Sequence, residues 1–164
     1  MFLIGHIAAG VIAVLTGAAA MLAPKTPGRH PRRGTAYLAA LTTLVATAAG
    51  LGVLAWPRDT HLLVLAGIAL ALGALGYTAR KVRRAGWPLW HITGMGGSYI
   101  LILTAFYVDN GPNLPLWNLL PPISFWFLPA AVGTPLLLRA LHRHARRTQR
   151  EGGTTPPTDT ATPG

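Results

Sequence analysis

Imidazole is the main chemical resource of this sequence. Six histidines stand beside only two serines, Ser98 and Ser124, and no cysteine. No acid lies near either serine in sequence, which gives a hydrolytic serine little support. Without cysteine there is no disulfide, no thiolate metal site and no thioether-linked haem, so a metal would have to use His, Met or oxygen ligands. His142 and His144 belong to a basic segment, where an interfacial role is the default. The other four, His6, His30, His61 and His91, are placed within or beside long apolar runs.

His6 is followed by Gly10, Ala13 and Gly17 at four, seven and eleven residues, so on a helix it crowns a small-residue face. His91 is followed at helical spacing by Met95, Ser98, Ile102, Ala105 and Asp109. Asp109 lies eighteen residues on, five helical turns, which puts it on the His91 face about 27 Å away. Sorted by depth the four form two pairs, His6 with His61 at one end and His30 with His91 at the other. Two stacked imidazole pairs across a helical bundle is an arrangement that could ligate haem b, with neutral imidazole nitrogens binding iron axially. The bland alternative is that each is a boundary histidine making ordinary hydrogen bonds.

A second constellation gathers His6 and His61 with Tyr107, Asp109, Asn110 and Asn113. The last four stand in a stretch that ends at Trp117, where Pro112 and Pro115 stiffen the turn set by Asn110, Gly111 and Pro112. Imidazoles and a carboxylate at one mouth could bind a divalent metal or polarise a substrate; a rigid turn carrying interfacial polar groups would look the same.

The elements that must position these groups are five apolar runs, at about residues 2–23, 36–56, 62–79, 89–108 and 123–138. Each is near the ~20 residues that cross ~30 Å of hydrocarbon as a helix. The expected fold is therefore all-α, an integral membrane bundle of five transmembrane helices occupying residues 1–142. Residues 143–164 turn basic and then Thr/Pro/Gly-rich, a composition expected to form a disordered tail. Small residues recur at helical spacing in the first three runs, which suits close helix packing or a flat cofactor against a helix.

Thirteen of the fourteen Lys and Arg fall in three clusters: Lys25 to Arg33, Arg80 to Arg84, and Arg139 to Arg150. These follow the first, third and fifth runs, while Arg58 stands alone on the other side. The positive-inside rule then places the N-terminus outside and the C-terminus in the cytoplasm, as expected of a multi-pass protein of an inner (cytoplasmic) membrane. Trp56, Trp87, Trp90 and Trp117 lie at or near run ends, as interfacial aromatics do. A content of 51% hydrophobic against 11% charged residues argues against a soluble domain. The net charge of +10 flanks apolar spans, so it indicates a lipid bilayer as the partner and no nucleic acid. No Asp, Glu, Lys or Arg lies mid-run, which argues against carboxylate-based ion coupling within the bilayer.

Several spaced segments resemble the bacterial membrane proteins grouped as domain of unknown function 2306. They are His6-Ile-Ala-Ala-Gly10, the basic stretch from Gly28 to Gly34 with Tyr37, and His91-Ile-Thr-Gly-Met-Gly-Gly-Ser-Tyr99 followed by Thr104 to Pro112. Pro31 follows His30, where that family has a histidine-arginine pair. The resemblance covers most of residues 2–140 and implies a multi-pass membrane protein without naming an activity.

Two functions remain in view. One is a haem-b or quinone-linked redox membrane subunit, with His6, His30, His61 and His91 as candidate ligands. The other is a non-enzymatic permease, sensor or subunit of a membrane or cytoplasmic protein partner.

Overall fold

The structure, a computed structural model, describes residues 2–24, 28–54, 57–115 and 117–152. Lys25, Trp56 and the Thr/Pro/Gly-rich residues 153–164 lie outside them. The described residues form helices and turns with no strand. Five helices are long and apolar enough to cross a membrane: α1 (Phe2–Leu22), α2 (Arg29–Leu54), α3 (Thr60–Val82), α4 (Trp87–Asn110) and α5 (Ser124–Gly152).

Most helices outrun their apolar cores. α2 begins seven residues before the expected start at 36, so His30 is helical and not in a loop. Gly28, with φ 98°, turns the chain, and the Arg32 N–H bonds the Gly28 carbonyl at 3.2 Å. Pro31 then occupies the first turn, where a missing N–H removes no intrahelical bond and a fixed φ suits the helix. α5 likewise runs to Gly152, so residues 143–152 are helical where the tail was expected to begin. Arg, Ala, His, Thr, Gln and Glu fill that stretch up to the closing Gly152, with no proline or interior glycine to break the helix, and hydropathy alone does not register them.

Successive helices are antiparallel and in register. Gly10 meets Leu44 and Gly17 meets Tyr37 between α1 and α2; Gly52 meets Leu63 and Gly73 meets Leu41 between α2 and α3. Gly76 lies against Gly94 between α3 and α4, and Gly96 and Gly133 take Leu137 and Ile100 across the α4–α5 contact. α1 to α4 make a four-helix bundle, closed by a smaller contact between α1 and α4, and α5 packs on α4. The alternation brings the cations of the three clusters that are described to one end of the bundle, with Arg58, Asp59 and Asp109 at the other.

The core sits between the two hairpins. Ala13, Tyr37, Ala40, Leu41, Ala69 and Ile102 are buried together, and Leu41 and Ala69 have no exposed surface. The outer faces remain apolar: Ile4, Leu15, Val53, Val64, Phe127 and Leu136 are each more than half exposed. A water-soluble domain seldom leaves so much contiguous apolar surface open, whereas hydrocarbon would cover it.

Candidate functional site

The basic end of the bundle brings His30 and His91 together. His30 stands in the first turn of α2 and His91 in the second turn of α4, the two helices that lie diagonally across the bundle. Their ring centroids are 6.0 Å apart with planes at 84°. His30 donates its Nδ1–H to the Ala20 carbonyl of α1 at 2.9 Å, and His91 donates its Nδ1–H to the Gly76 carbonyl of α3 at 2.9 Å. A carbonyl oxygen can only accept, so in each ring Nδ1 carries a proton, and in the neutral form of such a ring the lone pair is on Nε2. This is the tautomer in which a histidine ligates through Nε2 while a backbone carbonyl fixes its orientation. Trp87 lies one turn before His91, its ring 6.2 Å from the imidazole, and the Arg83 guanidinium covers the same indole at 5.9 Å. Arg33 donates to the Ala19 carbonyl at 3.0 Å, beside the bond made by His30.

Two turns deeper the bundle is closed by a polar clasp. Ser98 donates its hydroxyl to the Met95 carbonyl at 2.8 Å, so in the 2.8 Å contact between Tyr37 and Ser98 the phenol is the donor. Tyr99 reaches across to α1 and donates to the Val14 carbonyl at 3.1 Å. Between the imidazoles and this clasp stands Gly34, where an added Cβ would meet no atom within 4 Å. The imidazole pair and the clasp are about 10 Å apart along the helices, from seven residues of rise.

No family model, curated protein or solved structure matches this chain. What the site can do is set by its own geometry.

The opposite end does not form the second pair. His6 donates its Nδ1–H to the Thr47 hydroxyl at 3.1 Å, that oxygen being free to accept because its own proton goes to the Thr43 and Leu44 carbonyls. His61 is exposed on α3 with its ring 5.8 Å from Trp126 of α5. His6 thus faces α2 and His61 faces α5, so the expected outer pair of ligands is corrected to two separate contacts. Equal depth fixed neither ring's direction around its helix.

The outer polar constellation is also dispersed. Asp109 is exposed and accepts from Asn110 Nδ2 at 3.2 Å, a group that also donates to the Phe106 carbonyl at 3.1 Å. Asn113 is exposed at the end of a short 3-10 turn, Gly111–Asn113. Tyr107 stacks with Phe106 and Trp117, each at 5.4 Å between centroids. Among the described residues no three His, Asp or Glu side chains gather where they could hold a metal ion. His61, Asp109, Asn110 and Asn113 are surface groups in this fold, and Tyr107 belongs to an aromatic stack.

Sequence reasoning did not pick out Thr47, Trp126 or the Tyr37–Ser98 clasp as a unit. The clasp left a signal: Tyr37 follows His30 by seven residues and Ser98 follows His91 by seven, so both lie on the histidine faces at one depth.

Proposed function

We propose that the chain spans a bacterial cytoplasmic membrane five times, with its basic end in the cytoplasm, and serves as a redox membrane subunit carrying one haem b held by His30 and His91. The observation that carries this reading is the imidazole pair itself. A metal bonded to one nitrogen of each ring at about 2 Å on opposite sides sets ring centroids about 6 Å apart; the rings stand at 6.0 Å, each with Nδ1 already committed to a backbone carbonyl.

Two imidazoles are too few for a bare metal ion, and the described residues offer no third ligand of the usual kinds. The pair therefore suits an iron that brings its own equatorial nitrogens. Gly34, one turn past His30, leaves room beside the pair, since an added Cβ there would meet no atom within 4 Å. Haem carboxylates would meet a cationic end, with Arg29, Arg32, Arg33, Arg80 and Lys81 on the neighbouring turns. Bound there, haem would supply one-electron exchange, with His30 and His91 as the residues that hold it. The chain's part is to hold the rings, exclude water through Tyr37 and Leu41, and surround the centre with apolar helix. The second haem suggested by four histidines has no place in this reading, since His6 and His61 do not face each other.

Cation placement and the exposed apolar faces support the membrane orientation. A permeation role is disfavoured by the buried Tyr37, Leu41 and Ser98, which fill the bundle axis.

The test is spectroscopic. Protein expressed with haem precursor and purified in detergent should show a Soret band and, after dithionite, a sharp α-band of a six-coordinate b-type centre. A colourless preparation from haem-sufficient cells sinks the redox reading. Orientation is read separately by a fluorescent protein fused to the C-terminus, which should light up only if that end is cytoplasmic; a dark fusion together with an active N-terminal one reverses the topology.

A further inference from the structure

We infer that the groove where α3 passes into α4 is a binding site for an anionic phospholipid, with the phosphate on Arg84 and an acyl chain against Leu75 and Val82. The inference rests on the membrane-spanning reading above and not on the haem.

The groove has a volume of about 540 Å³, in the range of small-ligand sites. It is lined by Leu75, Thr78 and Val82 from the last two turns of α3, Arg84 from the turn, and Trp87 and Trp90 from the first turn of α4. Its lining is graded along the helix axis. Leu75, 43% exposed, opens an apolar track that Trp90, 58% exposed, walls from α4 about a turn deeper than Trp87, while Val82, 53% exposed, and Trp87 stand nearest the turn. Arg84 then stands at the level where a lipid phosphate would lie, with indole rings beside it as at membrane interfaces. α5 packs on α4 and leaves this side of the hairpin open.

Charge selects the kind of lipid. Arg83 stacks on Trp87 at 5.9 Å, and Lys81 sits over the Tyr77 ring at 5.5 Å, so these two cations of the turn lie against aromatic faces while Arg84 lines the groove. Asp59 and Asp109 stand at the far end of the bundle, and no described carboxylate side chain competes at this one. A site with a guanidinium, an apolar track and no acid is complementary to a phosphate ester with a hydrocarbon tail. A neutral quinone would use the track and leave the guanidinium without a counter-charge.

Trp90 gives the site an optical readout. Purified protein in neutral detergent is titrated with phosphatidylglycerol or phosphatidylcholine carrying brominated acyl chains, which quench nearby indoles. The anionic lipid should quench at about fivefold lower mole fraction than the zwitterionic one, the ratio one interfacial cation supplies. R84Q should remove that preference, W90F and W87F should together remove the part of the quenching that distinguishes the two lipids, and R58Q at the opposite end should change nothing. Equal quenching by both lipids, or an unchanged preference in R84Q, overturns the site. Loss of the preference on adding millimolar inorganic phosphate at constant ionic strength would show a free-phosphate site and overturn it too, as would displacement of the lipid by a neutral quinone. Release of the protein from membranes by alkaline carbonate would instead refute the spanning reading on which it rests.

Discussion

Alanine at either His30 or His91 should leave a folded protein that no longer takes up the proposed haem. Each ring is half-buried at one end of the bundle, away from the Ala13–Tyr37–Leu41–Ala69 core, so helicity and thermal midpoint should stay close to those of the parent. Affinity for haem should fall by more than about 100-fold, because even loss of a group that merely orients a ligating histidine costs 10–100-fold. Added imidazole should restore part of the spectrum by filling the space the ring vacates. His6→Ala and His61→Ala should keep the bands, since those rings contact Thr47 and Trp126 and not each other. Six-coordinate spectra that persist in both His30→Ala and His91→Ala would end the assignment. Bands lost only together with the helical signal would mean that the two rings hold the fold and not a cofactor.

A single branched side chain at Gly94 should unfold the bundle. A Cβ at this position would lie 2.6 Å from the backbone nitrogen of Gly76 and 2.6 Å from the Leu72 carbonyl oxygen. Both are backbone atoms of α3, which no rotamer change can move aside, so Gly94→Val must push the helices apart. Glycine serves here because it lets two backbones meet, the same device that small-residue interfaces use in lipid. The cost should reach about 3 kcal/mol or more, the upper end for overpacking, and show as loss of a monodisperse detergent-purified species. Gly67→Ala is the control: nothing lies within 4 Å of its added Cβ, so stability should change by less than about 1 kcal/mol, and in the favourable direction. A Gly94→Val protein that melts with the parent would contradict the packing. The position is coupled to the site as well, because Gly76 also supplies the carbonyl that holds His91. Any folded fraction of Gly94→Val should therefore bind haem more weakly.

Much of the architecture was legible because hydropathy and charge are one-dimensional signals. Apolar runs marked five helices, and the alternating cation clusters anticipated that Arg29 to Arg33, Arg80 to Arg84 and Arg139 to Arg150 share one end. Depth along the helix placed His30 level with His91. What escaped was azimuth. His6 and His61 also share a depth, yet one looks at α2 and the other at α5, and no spacing within a single helix says which neighbour its face will meet. Helix ends escaped for a different reason. Arg29 to Gly34 and residues 143–152 are helical through backbone propensity and first-turn tolerance of proline, properties to which a hydropathy profile is blind. The Tyr37–Ser98 clasp lay between these cases, since its two members were on recognisable faces but only the diagonal placement of α2 and α4 joins them.

The two orienting bonds of the imidazoles are local to their own hairpins. His30 is held by Ala20, ten residues upstream, and His91 by Gly76, fifteen residues upstream. Each hairpin thus finishes its half of the centre alone, and nothing but the seating of one hairpin on the other sets the 6.0 Å between the rings. The pair is in effect a caliper across the bundle: any load that slides or splays the hairpins is converted directly into a change in the separation of the two rings, and, with the proposed haem bound, would be read out as a change in its colour and potential.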